Sequence, residues 1–64
     1  LAENENRFLE LIRTSSGGIT VDEYMRVAHV SRSCAEETVA NLYAMDVVDF
    51  AHDGTRFRIV AATH

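Results

Sequence analysis

Residues 20–48, TVDEYMRVAHVSRSCAEETVANLYAMDVV, constrain this chain more than any other stretch. Thr20-Val21-Asp22-Glu23 has the spacing of a capping box. In that motif the Thr20 hydroxyl accepts from the Glu23 amide, and the Glu23 carboxylate reaches back to the Thr20 amide. Asp22 and Glu23 also suit the positive end of a helix dipole. Ile19 and Tyr24 stand at the two positions of a hydrophobic staple, and Val21, Tyr24, Met25 and Ala28 recur along one helical face, with Arg26 pointing away from it. A second helix starts at Ser31 or at Ser33: both are good N-caps, and Ser33-Cys34-Ala35-Glu36 is itself a capping box. Its apolar face is Ala35, Val39 and Leu42, flanked by Thr38 and Met45. Only His29-Val30-Ser31 separates the two helices. Amphipathic helices joined by so short a turn must cross steeply and share one core.

The flanks complete the pattern. Phe8, Leu9, Leu11 and Ile12 form a helical stripe ending near Arg13, with Glu3 and Glu5 near its start and Asn4 or Asn6 as its cap. Thr14-Ser15-Ser16-Gly17-Gly18 reads as a loop, and its two adjacent glycines lack the spacing of a phosphate cradle. Ile19 is expected to be a very short first strand. Asp53-Gly54 lies between two alternating runs, the signal of a hairpin with a type I′ turn. That turn sets Phe50 opposite Phe57, Val48 opposite Ile59, Asp49 opposite Arg58 and Ala51 opposite Arg56. The apolar side of the hairpin is expected to close over the helices, and residues 61–64 to form a frayed tail. The fold class expected is α+β: three helices and a three-stranded antiparallel sheet in the order αβααββ, one domain over residues 1–64.

The stretch VSRSCAEETVANLYAMDVV resembles the recognition-helix segment of winged helix-turn-helix regulators, such as the multiple-antibiotic-resistance and arsenic-responsive groups. Val30-Ser31 matches their turn, Ala35 their small apolar position, Val39 and Leu42 their leucine-like positions, and Val47-Val48 the entry to the wing. Asp46 stands where those proteins usually carry Gly; Asp tolerates the left-handed conformation better than most residues. The resemblance covers most of the chain through a generic, degenerate motif. It implies a DNA-binding domain of a transcription regulator, acting as a dimer on double-stranded DNA. The start of the third helix, Arg32, Ser33, Cys34, Glu36 and Glu37, would enter the major groove, and Arg56 on the wing would meet phosphate.

Composition bounds this reading. Sixty-four residues make one small domain, of a size that often leans on a partner or a second copy. A start at Leu1 suits a piece excised or processed from a longer chain. One cysteine excludes an internal disulfide, and with no signal peptide or long apolar run the expected compartment is the cytoplasm, with no membrane span. The net charge is −4, and all six basic residues are arginine, so DNA binding depends on where those arginines gather.

Glu36 and Glu37 oppose a helix lying between phosphates unless one accepts from a cytosine amino group. They favour the rival expectation, an acidic winged helix that binds a protein partner or dimerises through Tyr43, Leu1, Ala2 and Phe8. No enzyme is expected. Cys34 near a helix N-terminus leaves a redox-sensing role open, and a Cys/His site can be drawn with His29 and His52. A base, an orienting group and a pocket are not evident. Two scattered histidines and one cysteine lack metal-ligand spacing, so neither metal nor cofactor is expected. Capping accounts for Asp22 and Glu23, and Glu36 and Glu37 lack the apolar shielding that acid–base work needs.

Overall fold

The computed structural model describes residues 2–62, with the backbone alone at Asp53. The chain is α+β: helices α1 (Glu3–Thr14), α2 (Val21–Ala28) and α3 (Arg32–Ala44), then an antiparallel hairpin of β1 (Val48–Asp53) and β2 (Arg56–Ala61). The core draws on every element. Phe8, Tyr24, Leu42, Val48 and Ile59 are fully buried, and the Phe8 and Tyr24 rings pack with centroids 4.6 Å apart. The inward trio Ala35, Val39 and Leu42 is buried as its spacing predicts.

Local chemistry explains the helix ends. At α2 both halves of the capping box form: Glu23 N–H donates to Thr20 Oγ1 at 3.1 Å, and Thr20 N–H donates to Glu23 Oε1 at 2.9 Å. At α3 the cap is Ser31, whose hydroxyl accepts from Cys34 N–H at 3.2 Å, which decides between the two serines. Helix α1 starts earlier than its asparagines suggest. Ala2 is the N-cap, because the Glu5 carboxylate reaches back to Ala2 N–H at 3.2 Å. Asn4 is thereby inside the helix, donating to Cys34 Sγ at 3.6 Å. Two helices end on left-handed residues that are not glycine. His29 (φ 56°) closes α2, with Val30 N–H reaching Met25 O. Asp46 (φ 65°) closes α3, with Asp46 N–H on Tyr43 O and Val47 N–H on Leu42 O, the two bonds of a Schellman motif.

The sheet departs from expectation in three ways. The third strand is a single bridge, Ile19 N–H to Ile59 O at 3.0 Å and Ile59 N–H to Ile19 O at 2.7 Å, beside a two-stranded sheet. Left-handed Gly18 precedes Ile19 and the α2 cap Thr20 follows it, which leaves one residue with room to pair. The hairpin register is also shifted. Phe50 pairs with Ile59, His52 with Phe57, Ala51 with Arg58 and Val48 with Ala61. The turn is Gly54-Thr55, with positive φ at Gly54 and not at Thr55, which suits a type II′ turn. The faces are unchanged by this two-residue displacement, but every expected cross-strand pair is replaced, Asp49 with Arg58 included. Ala61 belongs to β2, and Ala62 N–H still bonds Val47 O at 3.1 Å, so the frayed tail does not begin at residue 61; residues 63 and 64 lie outside the described residues.

Third, the apolar side of the hairpin closes only at its base. Val48 and Ile59 are buried, while Phe50 and Phe57 are 47% and 57% exposed. The outer half of the hairpin carries them past the helical core.

Candidate nucleic-acid interface

Three segments converge on one cleft of about 880 Å³: the capped start of α2, Arg32 at the start of α3, and the outer hairpin. The Ile19–Ile59 bridge ties the loop before α2 to β2, so the capping box stands beside the hairpin. The cleft wall carries Arg26, Arg32, Arg56 and Arg58, four of the six arginines, with Phe50 and Phe57 among them. Its two carboxylates are both engaged within the domain. Asp22 Oδ1 accepts from Arg32 Nη2 at 2.5 Å, and Glu23 closes the capping box. The Glu23 carboxyl is held below its ordinary value of 4.5, first by the Thr20 N–H, then by the Thr20 hydroxyl, with Arg58 and Arg26 adding to the effect. Arg58 also donates to Gly18 O at 3.5 Å, and the register sets Ala51 opposite it in place of the expected Asp49. Arg56, near the hairpin tip, makes no ion pair or side-chain hydrogen bond among the described residues.

The residues singled out from sequence divide between two places. Arg32 and Arg56 meet in the cleft. Ser33 and Glu36 are exposed on the outward side of α3. Cys34 and Glu37 instead line a smaller hollow against α1, of about 210 Å³, with Asn4, Glu5 and Asn41. There Asn41 donates to Glu5 Oε2 at 3.3 Å, and Cys34 is half-buried. Of the residues expected to form a dimer seam, Tyr43, Leu1, Ala2 and Phe8, the fold removes Phe8 and leaves Ala2 and Tyr43 exposed. Phe8 is in the core of its own domain, Tyr43 leans on Phe50 with ring centroids 5.0 Å apart, and Leu1 lies outside the described residues.

Sequence reasoning missed Arg26, Arg58 and the two phenylalanines as members of this surface. Arg26 carried a usable signal, because it points away from the apolar face of its helix. The phenylalanines carried none, since alternation fixes the side of a strand and not how far the strand extends beyond the core. Among the described residues no cluster of His, Cys, Asp and Glu is placed to hold a metal ion, and no helix is long and apolar enough to cross a membrane. Comparison with protein-family models, with curated proteins and with solved structures gives no match.

Proposed function

We propose that this chain is a DNA-binding winged helix-turn-helix domain of a transcription regulator, with the start of α3 directed into the major groove and the hairpin serving as the wing. One observation carries the reading: a chain of net charge −4 gathers four of its six arginines around a single cleft between the helix pair and the hairpin. Phosphate contacts dominate affinity for DNA, and a cluster of arginines on one side of an acidic domain is the footprint they leave. Arg32 and Arg56 are the phosphate or guanine contacts of this reading. Ser33 and Glu36 are the side chains nearest to base edges, with Glu36 suited to a cytosine amino group. Cys34 and Glu37 stand toward α1 and act less directly. A single domain with so few cations binds weakly, so the working form is a homodimer on paired half-sites. The reading is not enzymatic, uses no cofactor and places the protein in the cytoplasm.

A titration against mixed-sequence duplex at two salt concentrations tests it. Each phosphate neutralised contributes about −0.9 to the slope of log K against log salt. Arg56→Ala is expected to weaken binding and flatten the slope by about one contact, and Arg32→Ala to weaken it further.

A second reading has its own observation. Glu36, Glu37, Ala40 and Ala44 are all exposed on α3, and this helix side carries no arginine beyond Arg32 at its start. An acidic, small-residue helix face suits a basic protein partner. Absence of duplex binding at low salt, or an Arg32→Ala variant that binds as the parent does, would favour it.

A further inference from the structure

The cleft holds more than cations. Phe57 is 57% exposed and Phe50 is 47% exposed, in a domain whose core is assembled from few large side chains. They belong to a continuous row of rings. Tyr43 and Phe50 lie 5.0 Å apart, Phe50 and Phe57 meet nearly edge-on at 6.4 Å, and Phe57 and His52 lie 4.2 Å apart. Their cross-strand and helix neighbours hold these rings on a paired hairpin, so they form a fixed surface with little ordering left to do on binding. Arg56 and Arg58 adjoin Phe57 in sequence, and Arg26 and Arg32 line the same cleft.

Intact paired DNA uses such a ring surface only at a thymine methyl or where two base steps are forced apart. A duplex shows the hairpin its phosphates, its sugars and the edges of its bases, while the base faces are stacked out of reach. An unpaired base offers the face that an aromatic ring stacks on, and its backbone offers the phosphates that flanking arginines hold. We infer that the Phe50–Phe57 side of the cleft binds an unpaired nucleobase by stacking, so that the preferred substrate is a duplex with a single-stranded extension running along the hairpin. The inference rests on the nucleic-acid reading and specifies its substrate class. Phe57 is the stacking platform, Phe50 braces it from the Tyr43 side, and Arg56 meets the adjoining phosphate.

The test uses the whole chain with three probes: a blunt mixed-sequence duplex, the same duplex with a tail of roughly eight thymidines at either end polarity, and the tail alone. The wild type is expected to bind one tailed duplex about tenfold more tightly than the blunt one, the gain of a single stacked base. Phe57→Leu keeps apolar bulk and removes the π face, and is expected to bring the affinities for tailed and blunt duplex together, the comparison being made within the same variant. Phe57→Tyr is expected to retain it. Equal affinity for blunt and tailed duplexes overturns the inference and leaves the duplex reading intact. So does an advantage that survives Phe57→Leu. Displacement of the tail by polyglutamate as readily as by oligothymidine would mean that the cleft senses negative charge alone, and also overturns it. Binding of the tail with none of the blunt duplex would retain stacking and remove the duplex reading; binding of none of the probes removes both.

Discussion

Gly18 is where one methyl group is expected to do the most damage. The residue is buried with φ +87°, and an added Cβ would overlap the Ile59 carbonyl oxygen and lie 2.6 Å from Val60 Cγ1. The Val60 side chain can rotate away. The carbonyl cannot, because it accepts from Ile19 N–H in the bridge that joins the loop to β2. Relief therefore means opening that bridge, with its bonds of 3.0 and 2.7 Å. The left-handed backbone costs an alanine roughly 1–2 kcal/mol. Two lost hydrogen bonds add about 0.5–1.5 kcal/mol each. Gly18→Ala should then cost roughly 2–5 kcal/mol, against a total stability of roughly 3–10 kcal/mol for a domain of this size. Gly17 is the matched control. Its φ is +86°, and an added Cβ there meets nothing within 4 Å, so Gly17→Ala should carry only the backbone cost of roughly 1–2 kcal/mol. Urea denaturation followed by far-UV circular dichroism separates the two, provided the m-values agree. If Gly18→Ala proves as mild as Gly17→Ala, the bridge does not hold the loop against the hairpin, and the cleft loses the contact that positions the start of α2.

Three smaller predictions follow from the same geometry. The Glu23 carboxyl is held below 4.5 in the folded chain, so its stabilisation is complete above that unfolded value and is lost as pH falls through the lowered one; Glu23→Gln should flatten the acid side of a plot of Tm against pH, and an unchanged plot would contradict the capping box. His29→Gly relieves a left-handed φ of 56° at an exposed position and should raise stability by about 0.5–1 kcal/mol, measured as a shift in urea midpoint. Asp22→Asn releases Arg32 from an exposed ion pair and removes a negative charge from the cleft; stability should change by less than about 1 kcal/mol while duplex affinity rises severalfold, and an unaltered affinity would separate Arg32 from the interface.

Where the sequence was informative, the information was local. The Thr20–Glu23 spacing specifies both hydrogen bonds of one cap, and three apolar positions on α3 specify which of its sides turns inward. The resemblance matches Asp46 to a left-handed closing position, at the place where those regulators carry Gly, and its φ is 65°. The hairpin was legible as a hairpin, but Asp-Gly admits two placements of the turn. With both residues central, the turn is type I′; with Gly54 first, it is type II′. The shift moves every partner by two and leaves inward and outward sides untouched, so hydrophobic alternation cannot choose between the placements. Ile19 was legible as a very short strand, but its pairing with Ile59 and the Arg58–Gly18 contact join positions 40 residues apart, and no local pattern encodes those partners.

The candidate site was least legible because summed charge is the wrong quantity for it. The domain measures 25 × 24 × 20 Å, while charges in physiological salt are screened over about 8 Å. A phosphate in the cleft therefore senses Arg26, Arg32, Arg56 and Arg58 with the neighbouring Asp22 and Glu23, where cations outnumber carboxylates. It scarcely senses the carboxylates of α1, none of which lines the cleft. The net charge of −4 matters only when the screening length approaches the width of the molecule, about 30 Å near 0.01 M salt. Duplex affinity should accordingly climb as salt is lowered from physiological strength and then level off below roughly 0.02 M, where the acidic far side begins to repel the same polyanion. Glu3→Gln together with Glu10→Gln, both exposed on α1, should extend the climb to lower salt. A plot of log K against log salt that stays straight through the dilute range, identical for the parent and the double variant, would mean that the cleft arginines and the carboxylates of α1 do not lie on different sides of the proposed DNA-binding surface.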